Sequence, residues 1–194
     1  MKVINLKDLS DTDYQRIVRR SAGNYQAIMP AVRETMENVK NNGDKVLLEK
    51  AQKRFRLENY TSIQVTKEEI QRAYKEVDAR FIASIKQMIR NITAVHKAQL
   101  PTKKDTVVEP VEGISVWREW RPIEKVGLYI PGGKAIYPSS VLMSSIPAQI
   151  AGCKDIVMWS PPRGNGQIPA PTLVAADMIG ISKIYKVGGA EAIA

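Results

Sequence analysis

The chain has 194 residues and a mass of 21.6 kDa, enough to bury a core in one large domain or two small ones. Hydrophobic residues make up 44% and charged residues 25% of it, values that exclude a disordered chain. No apolar run approaches the roughly 20 residues of a membrane span. Residues 1–8 contain no apolar signal segment. With one cysteine, Cys153, the composition predicts a cytoplasmic protein with no membrane partner.

The net charge of +9 is unevenly distributed along the chain. Residues 126–194 carry five basic and three acidic residues, whereas residues 1–125 carry 24 basic and 17 acidic ones. Interspersed charges of both signs are typical of solvated helix faces rather than of a surface that follows phosphates. We therefore expect no nucleic-acid partner, and a basic helical protein that binds nucleic acid is the alternative.

Residues 1–105 are expected to form a helical N-terminal region. Residues 10–13, Ser-Asp-Thr-Asp, offer N-caps for a short helix that ends near Arg20. A second helix is expected to begin near Pro30, since proline is tolerated in a first turn, and to end before Gly43. Asp44 can cap the next helix, which is expected to run toward Phe55.

A longer helix and a short β segment are predicted next. Residues 66–69, Thr-Lys-Glu-Glu, match the capping box, in which Thr66 and Glu69 each satisfy a free backbone donor. Apolar residues then recur at helical spacing, which predicts one continuous helix to about Leu100. Residues 106–125 are expected to form a short β connection with a tight turn at Glu112-Gly113.

Residues 126–194 alternate short apolar runs with helical segments. The expected strands are 126–130, 155–159 and 183–187; the expected helices run from a cap at Ser139 or Ser140 to Gly152, and from Pro171 to Met178. This order predicts an α/β fold, a three-layer α/β/α sandwich around a parallel sheet. A last helix would have barely one turn before Ala194, so we expect the domain to be truncated there.

Ligands of open parallel sheets bind beyond the carboxyl ends of the strands. Two of the loops expected there contain glycine pairs, Gly132-Gly133 and Gly188-Gly189, which could let a pyrophosphate approach the backbone or could only form tight turns. Neither loop has the G-x-G-x-x-G or Walker A pattern. Tyr129 could stack on a base or a nicotinamide ring or only pack at the strand end, and Lys134 could pair with a phosphate or be solvated.

Five motifs in the last seventy residues occur in a specific order. They are Val126-Gly-Leu-Tyr-Ile-Pro-Gly-Gly-Lys134, Pro138-Ser-Ser-Val-Leu-Met143, Ile146-Pro-Ala-Gln-Ile-Ala-Gly-Cys153, Ser160-Pro-Pro162 and Val187-Gly-Gly-Ala-Glu-Ala-Ile-Ala194. Together with the preceding Arg121-Pro-Ile-Glu-Lys125, they resemble the histidinol dehydrogenase family. The helical N-terminal region is compatible with that family but carries no comparably specific motif.

The resemblance implies an NAD-dependent oxidoreductase that converts L-histidinol to L-histidine in two steps, at the end of histidine biosynthesis. It also implies a cytoplasmic, zinc-containing homodimer whose fold is similar to that of aldehyde dehydrogenases, with incomplete Rossmann-like domains. On this basis residues 126–194 are expected to be the NAD-binding part. Its expected cofactor contacts are Tyr129, Gly132, Gly133 and Glu191. At the position of Glu191 the family uses a glutamine, so this chain departs from the pattern by a negative charge.

The resemblance places the catalytic bases and the zinc ligands downstream of Ala194, so we expect no catalytic and no metal-binding residue in this chain. The only histidine, His96, is expected to be solvated or packed on its helix, and Cys153 to be structural. The chain alone is therefore predicted to be inactive. The alternatives are a related enzyme for another alcohol and a non-catalytic nucleotide-binding module.

Overall fold

The computed structural model describes residues 4–18, 25–56, 60–132 and 135–194. Five α-helices lie in the described part of the N-terminal half. They are α1 (Asp11–Val18), α2 (Tyr25–Asn42), α3 (Asp44–Phe55), α4 (Lys67–Lys75) and α5 (Ala79–Gln99). A short 3-10 helix, Leu6–Asp8, precedes them.

The expected capping box at the start of α4 is confirmed. The Thr66 hydroxyl accepts the Glu69 N–H at 3.2 Å, and the Glu69 carboxylate accepts the Thr66 N–H at 2.8 Å. The single long helix predicted to follow it is wrong, because α4 ends at Lys75 and α5 begins at Ala79. Asp78 caps α5 by accepting the Phe81 N–H, so the helical path is broken and restarted there.

Helix α2 begins at Tyr25, five residues before the start predicted from proline. Pro30 therefore lies inside the helix. It has no backbone N–H and so removes one helical hydrogen bond, but the helix continues past it to Asn42. Asp44 is the first residue of α3 rather than its cap; the N-cap is Gly43, whose φ of 56° belongs to the left-handed region.

Residues 108–116 form an antiparallel hairpin of β1 (Val108–Val111) and β2 (Ile114–Val116). The predicted turn is confirmed, with Gly113 at a φ of 82°. All seven residues of the two strands are exposed.

The second half of the chain is an α/β unit around a parallel sheet, as expected. Its elements are β3 (Lys125–Tyr129), α6 (Pro138–Ala151), β4 (Asp155–Trp159), α7 (Ala170–Asp177) and β5 (Lys183–Tyr185). The strand order is β3-β4-β5, and both pairs are parallel. A 3-10 helix, Gly189–Ala192, follows β5. The predicted serine cap of α6 is wrong: Tyr137 is its N-cap, without a side-chain bond, and Pro138 occupies the first turn.

The two faces of the sheet have different surroundings. Met158 and Ile184 are fully buried and belong to the main core, which α6 and α7 share with α4 and α5. The next residues along the strands, Trp159 and Tyr185, point to the opposite face because side chains alternate along a strand. There a smaller cluster joins them to α3 and to Ile63.

Helices α4 and α5 are thus built into the main core with one face of the sheet, and α3 into the cluster on the other face. The backbone of Val65 donates to Ile184, and Lys186 donates to Ile63, so residues 63–65 extend the edge of β5. The boundaries at residues 105 and 125 stay a prediction. Within the described residues, no helix is long and apolar enough to cross a membrane.

Candidate nucleotide site

Three loops meet at the carboxyl edge of the parallel sheet. The backbone hydrogen bonding between adjacent strands continues one residue past their ends. The Ile130 N–H donates to the Trp159 carbonyl at 2.8 Å, and the Ser160 N–H donates to the Tyr185 carbonyl at 3.1 Å. Ile130 and Ser160 are both buried. The beginnings of the loops are therefore fixed by the sheet itself, which gives this edge a rigid base.

Pro161 lies between the two loops that contain glycine pairs. A Cβ added to Gly132 would lie 2.9 Å from the Pro161 Cγ, and one added to Gly188 would lie 2.4 Å from the Pro161 Cβ. Both positions thus need glycine for packing against this proline. Gly133 and Lys134, named from the sequence as possible contacts of a cofactor, lie outside the described residues.

Tyr129 ends β3 and lies on the face of the sheet opposite the main core. Its hydroxyl accepts the N–H of Gly189 at 3.3 Å, which connects the end of β3 to the 3-10 helix after β5. The side chain is 38% exposed. It lines a cleft of about 700 Å³ that also includes Trp159 and Tyr185. The last two rings are stacked, with centroids 6.0 Å apart.

Glu191 lines the same cleft from the 3-10 helix. Its Oε1 accepts a hydrogen bond from the Lys50 Nζ at 2.8 Å. Burial acts to raise the pKa of Glu191, but the bond from Lys50, a backbone hydrogen bond, and the charges of Lys50 and Arg54 together lower it. The carboxylate is therefore ionised at neutral pH and held by a cation.

The structure thus brings two of the predicted site residues, Tyr129 and Glu191, to one cleft. Gly132 lies at the same edge of the sheet, against Pro161. Sequence reasoning missed Lys50, which reaches the site from α3 and lies 141 positions before Glu191. No motif around Lys50 indicates this contact, because it depends on how α3 packs against the end of the sheet.

Lys186 follows β5 directly and is 8% exposed. Its Nζ contacts the Glu69 Oε1 at 2.9 Å and lies 5.2 Å from the centre of the Tyr60 ring. Glu69 also completes the capping box of α4. This buried ion pair therefore holds the start of α4 against the carboxyl end of the sheet.

The described residues do not form a zinc site. They contain no group of three or more histidine, cysteine, aspartate or glutamate side chains close enough to hold a metal ion. His96 lies half-buried near the end of α5, and Cys153 is a half-buried free thiol after α6.

Comparisons with known proteins give one consistent result. A family model described as histidinol dehydrogenase matches residues 18–194. The chain is 42% identical over 193 residues to histidinol dehydrogenase from Methanocaldococcus jannaschii, covering 100% of this chain and 44% of that protein. It is 43% identical over 181 residues to the enzyme from Clostridium acetobutylicum, covering 93% of this chain and 41% of that one.

The fold is also similar to a solved structure. The crystal structure of histidinol dehydrogenase from Elizabethkingia anophelis matches with a TM-score of 0.79 and 41% sequence identity. The match covers 86% of this chain and 38% of the other. The chain thus spans less than half the length of these relatives.

Proposed function

Because the chain belongs to the histidinol dehydrogenase family, we propose that it is the N-terminal part of an enzyme that oxidises L-histidinol to L-histidine. In this proposal NAD is the cofactor and accepts the hydride that leaves the alcohol carbon. The part described here binds and orients the cofactor. The proposal also includes a zinc-containing homodimer in the cytoplasm, as the resemblance implies.

The observation that carries the proposal is the meeting of Tyr129 and Glu191 in one cleft, which follows the face of the sheet opposite the main core and reaches its carboxyl edge. Parallel sheets of this class bind nucleotides at that edge. The cleft volume of about 700 Å³ lies within the usual range of roughly 300–1,000 Å³ for small-molecule sites. Its aromatic walls, formed by Tyr129, Trp159 and Tyr185, suit the flat faces of a base or a nicotinamide ring.

The roles that the described residues do not supply are the removal of the alcohol proton and the binding of zinc. No zinc site is formed by them, so no step through the metal is derived for this chain. We propose that both roles belong to parts of the relatives that this chain does not span. The 194 residues alone are accordingly expected to produce no NADH from histidinol and NAD.

The experiment that tests the cofactor site is a titration of the purified chain with NAD, followed by calorimetry and by tryptophan fluorescence in a Trp117→Phe, Trp120→Phe background that leaves Trp159 as the only emitter. We expect saturable binding that Tyr129→Ala weakens strongly. The matched control is Tyr14→Ala, which removes an exposed ring on α1 away from the cleft. Absence of NAD binding at millimolar concentration, or equal binding by both variants, would contradict the proposed site.

A longer protein distinguishes part of an enzyme from a non-catalytic nucleotide-binding module. A protein that also contains the part of the relatives that this chain does not span should oxidise histidinol with NAD, and Tyr129→Ala should reduce the rate of that oxidation. If the longer protein binds NAD but oxidises another alcohol instead, the substrate part of the proposal is wrong and the cofactor part stands.

A further inference from the structure

The ion pair between Lys50 and Glu191 lies at the border of the cofactor site proposed above, whose cleft is lined by Glu191 but not by Lys50. Its two atoms are 2.8 Å apart, and the side chains are 46% and 25% exposed. Glu191 is on the 3-10 helix that follows the last strand, whereas Lys50 is on α3. The pair therefore joins two segments that are distant in sequence at the rim of the cleft.

Apolar packing holds these two segments in place. Ala51, the neighbour of Lys50, is buried in one cluster with Val187 and Ala192, which flank the position of Glu191. Lys50 itself lines a second, narrow cleft between α3 and the loops after β4 and β5. The backbone of Lys50 is thus held at the carboxyl edge by packing, and only its side chain has to be ordered when the pair forms.

An ionised carboxylate at this edge has an electrostatic consequence for a dinucleotide. NAD carries a negatively charged pyrophosphate, and a glutamate without a partner would repel it. Glutamate also has no N–H to donate, whereas a glutamine amide has two. Lys50 removes both difficulties, because its ammonium cancels the charge and has three N–H donors, of which Glu191 uses one.

We propose that Lys50 is a positioning residue of the cofactor site: paired with Glu191, it cancels the charge of that carboxylate, so that Glu191 does not repel the pyrophosphate of NAD. The inference rests on the proposed NAD site and adds to it a residue from the helical N-terminal region.

The test is a double-mutant cycle read out as the NAD dissociation constant of the chain. Lys50→Met leaves the carboxylate without its partner and should weaken binding about tenfold, or about 1.4 kcal/mol. Glu191→Gln should bind at least as tightly as the unmodified chain. The double variant, Lys50→Met with Glu191→Gln, should bind NAD with a dissociation constant within about threefold of that of the unmodified chain. Lys50→Arg should keep the NAD affinity because the positive charge is retained.

Lys45→Met is the matched control, since it removes another lysine of α3 that forms an exposed ion pair, with Glu49. It should leave NAD affinity unchanged. Circular dichroism on every variant establishes that the fold is retained. Unchanged affinity in Lys50→Met, or a double variant as weak as Lys50→Met, overturns this inference while the NAD site stands. Absence of NAD binding by the unmodified chain overturns the proposed site and this inference with it.

Discussion

Replacing Lys186 by methionine should destabilise the protein strongly. Its ion pair with Glu69 is the least exposed among the described residues, at 8% and 14%. Methionine fills a similar volume but leaves the Glu69 Oε1 without its partner, while Oε2 keeps the bond from the Thr66 N–H. Removing one partner of a buried pair costs about 3–5 kcal/mol. Because Glu69 keeps one hydrogen bond and is partly exposed, we expect the free energy of unfolding to fall by about 3 kcal/mol, the lower end of this range.

Urea unfolding followed by circular dichroism measures this loss as a change in the free energy of unfolding. The matched control is Lys183→Met, three positions earlier, which removes an exposed ion pair with Asp155 and should change stability little. Lys186→Met combined with Glu69→Gln should recover most of the loss, since the amide keeps an acceptor for the Thr66 N–H and removes the buried charge. Equal effects of Lys186→Met and Lys183→Met would refute the reasoning.

Two further predictions follow from packing and burial. Gly188→Ala places a Cβ 2.4 Å from the Pro161 Cβ and should cost about 1–3 kcal/mol in thermal unfolding, whereas Gly164→Ala, with open space around it, should be close to neutral. Burial and the charge of Glu69 raise the pKa of Tyr60 to about 12, from 10.0. The folded state keeps this proton after the unfolded chain has lost it, so stability should fall as pH rises from about 10 to about 12. Tyr60→Phe should reduce that slope, and an unchanged slope would show that Tyr60 does not cause it.

Local signals in the sequence identified most elements of the fold. The capping box at Thr66 and the strand at residues 155–159 are both confirmed, because each depends on neighbours within a few positions. The break at Asp78 was missed, although an aspartate before an apolar run is an N-cap signal. The apolar spacing continues across it because α4 and α5 bury their faces in the same core.

The candidate site was predicted in part. Tyr129 and Glu191 were named from motifs, and they line one cleft because parallel strands bring their carboxyl ends to the same edge. The sequence does not distinguish whether Gly132 and Gly188 are glycines because a ligand approaches them or because they pack closely against another residue. Their packing role became evident only from Pro161, which lies in a third loop.

The sequence by itself determined the α/β class, the order of the elements and the family, since strand and helix patterns and ordered motifs are local properties. Only the tertiary structure decided which charges meet. Lys50 with Glu191 and Lys186 with Glu69 are pairs separated by more than a hundred positions. Their contacts depend on helices packing against the end of a sheet, and burial, a property of the whole fold, decides what each pair contributes to stability.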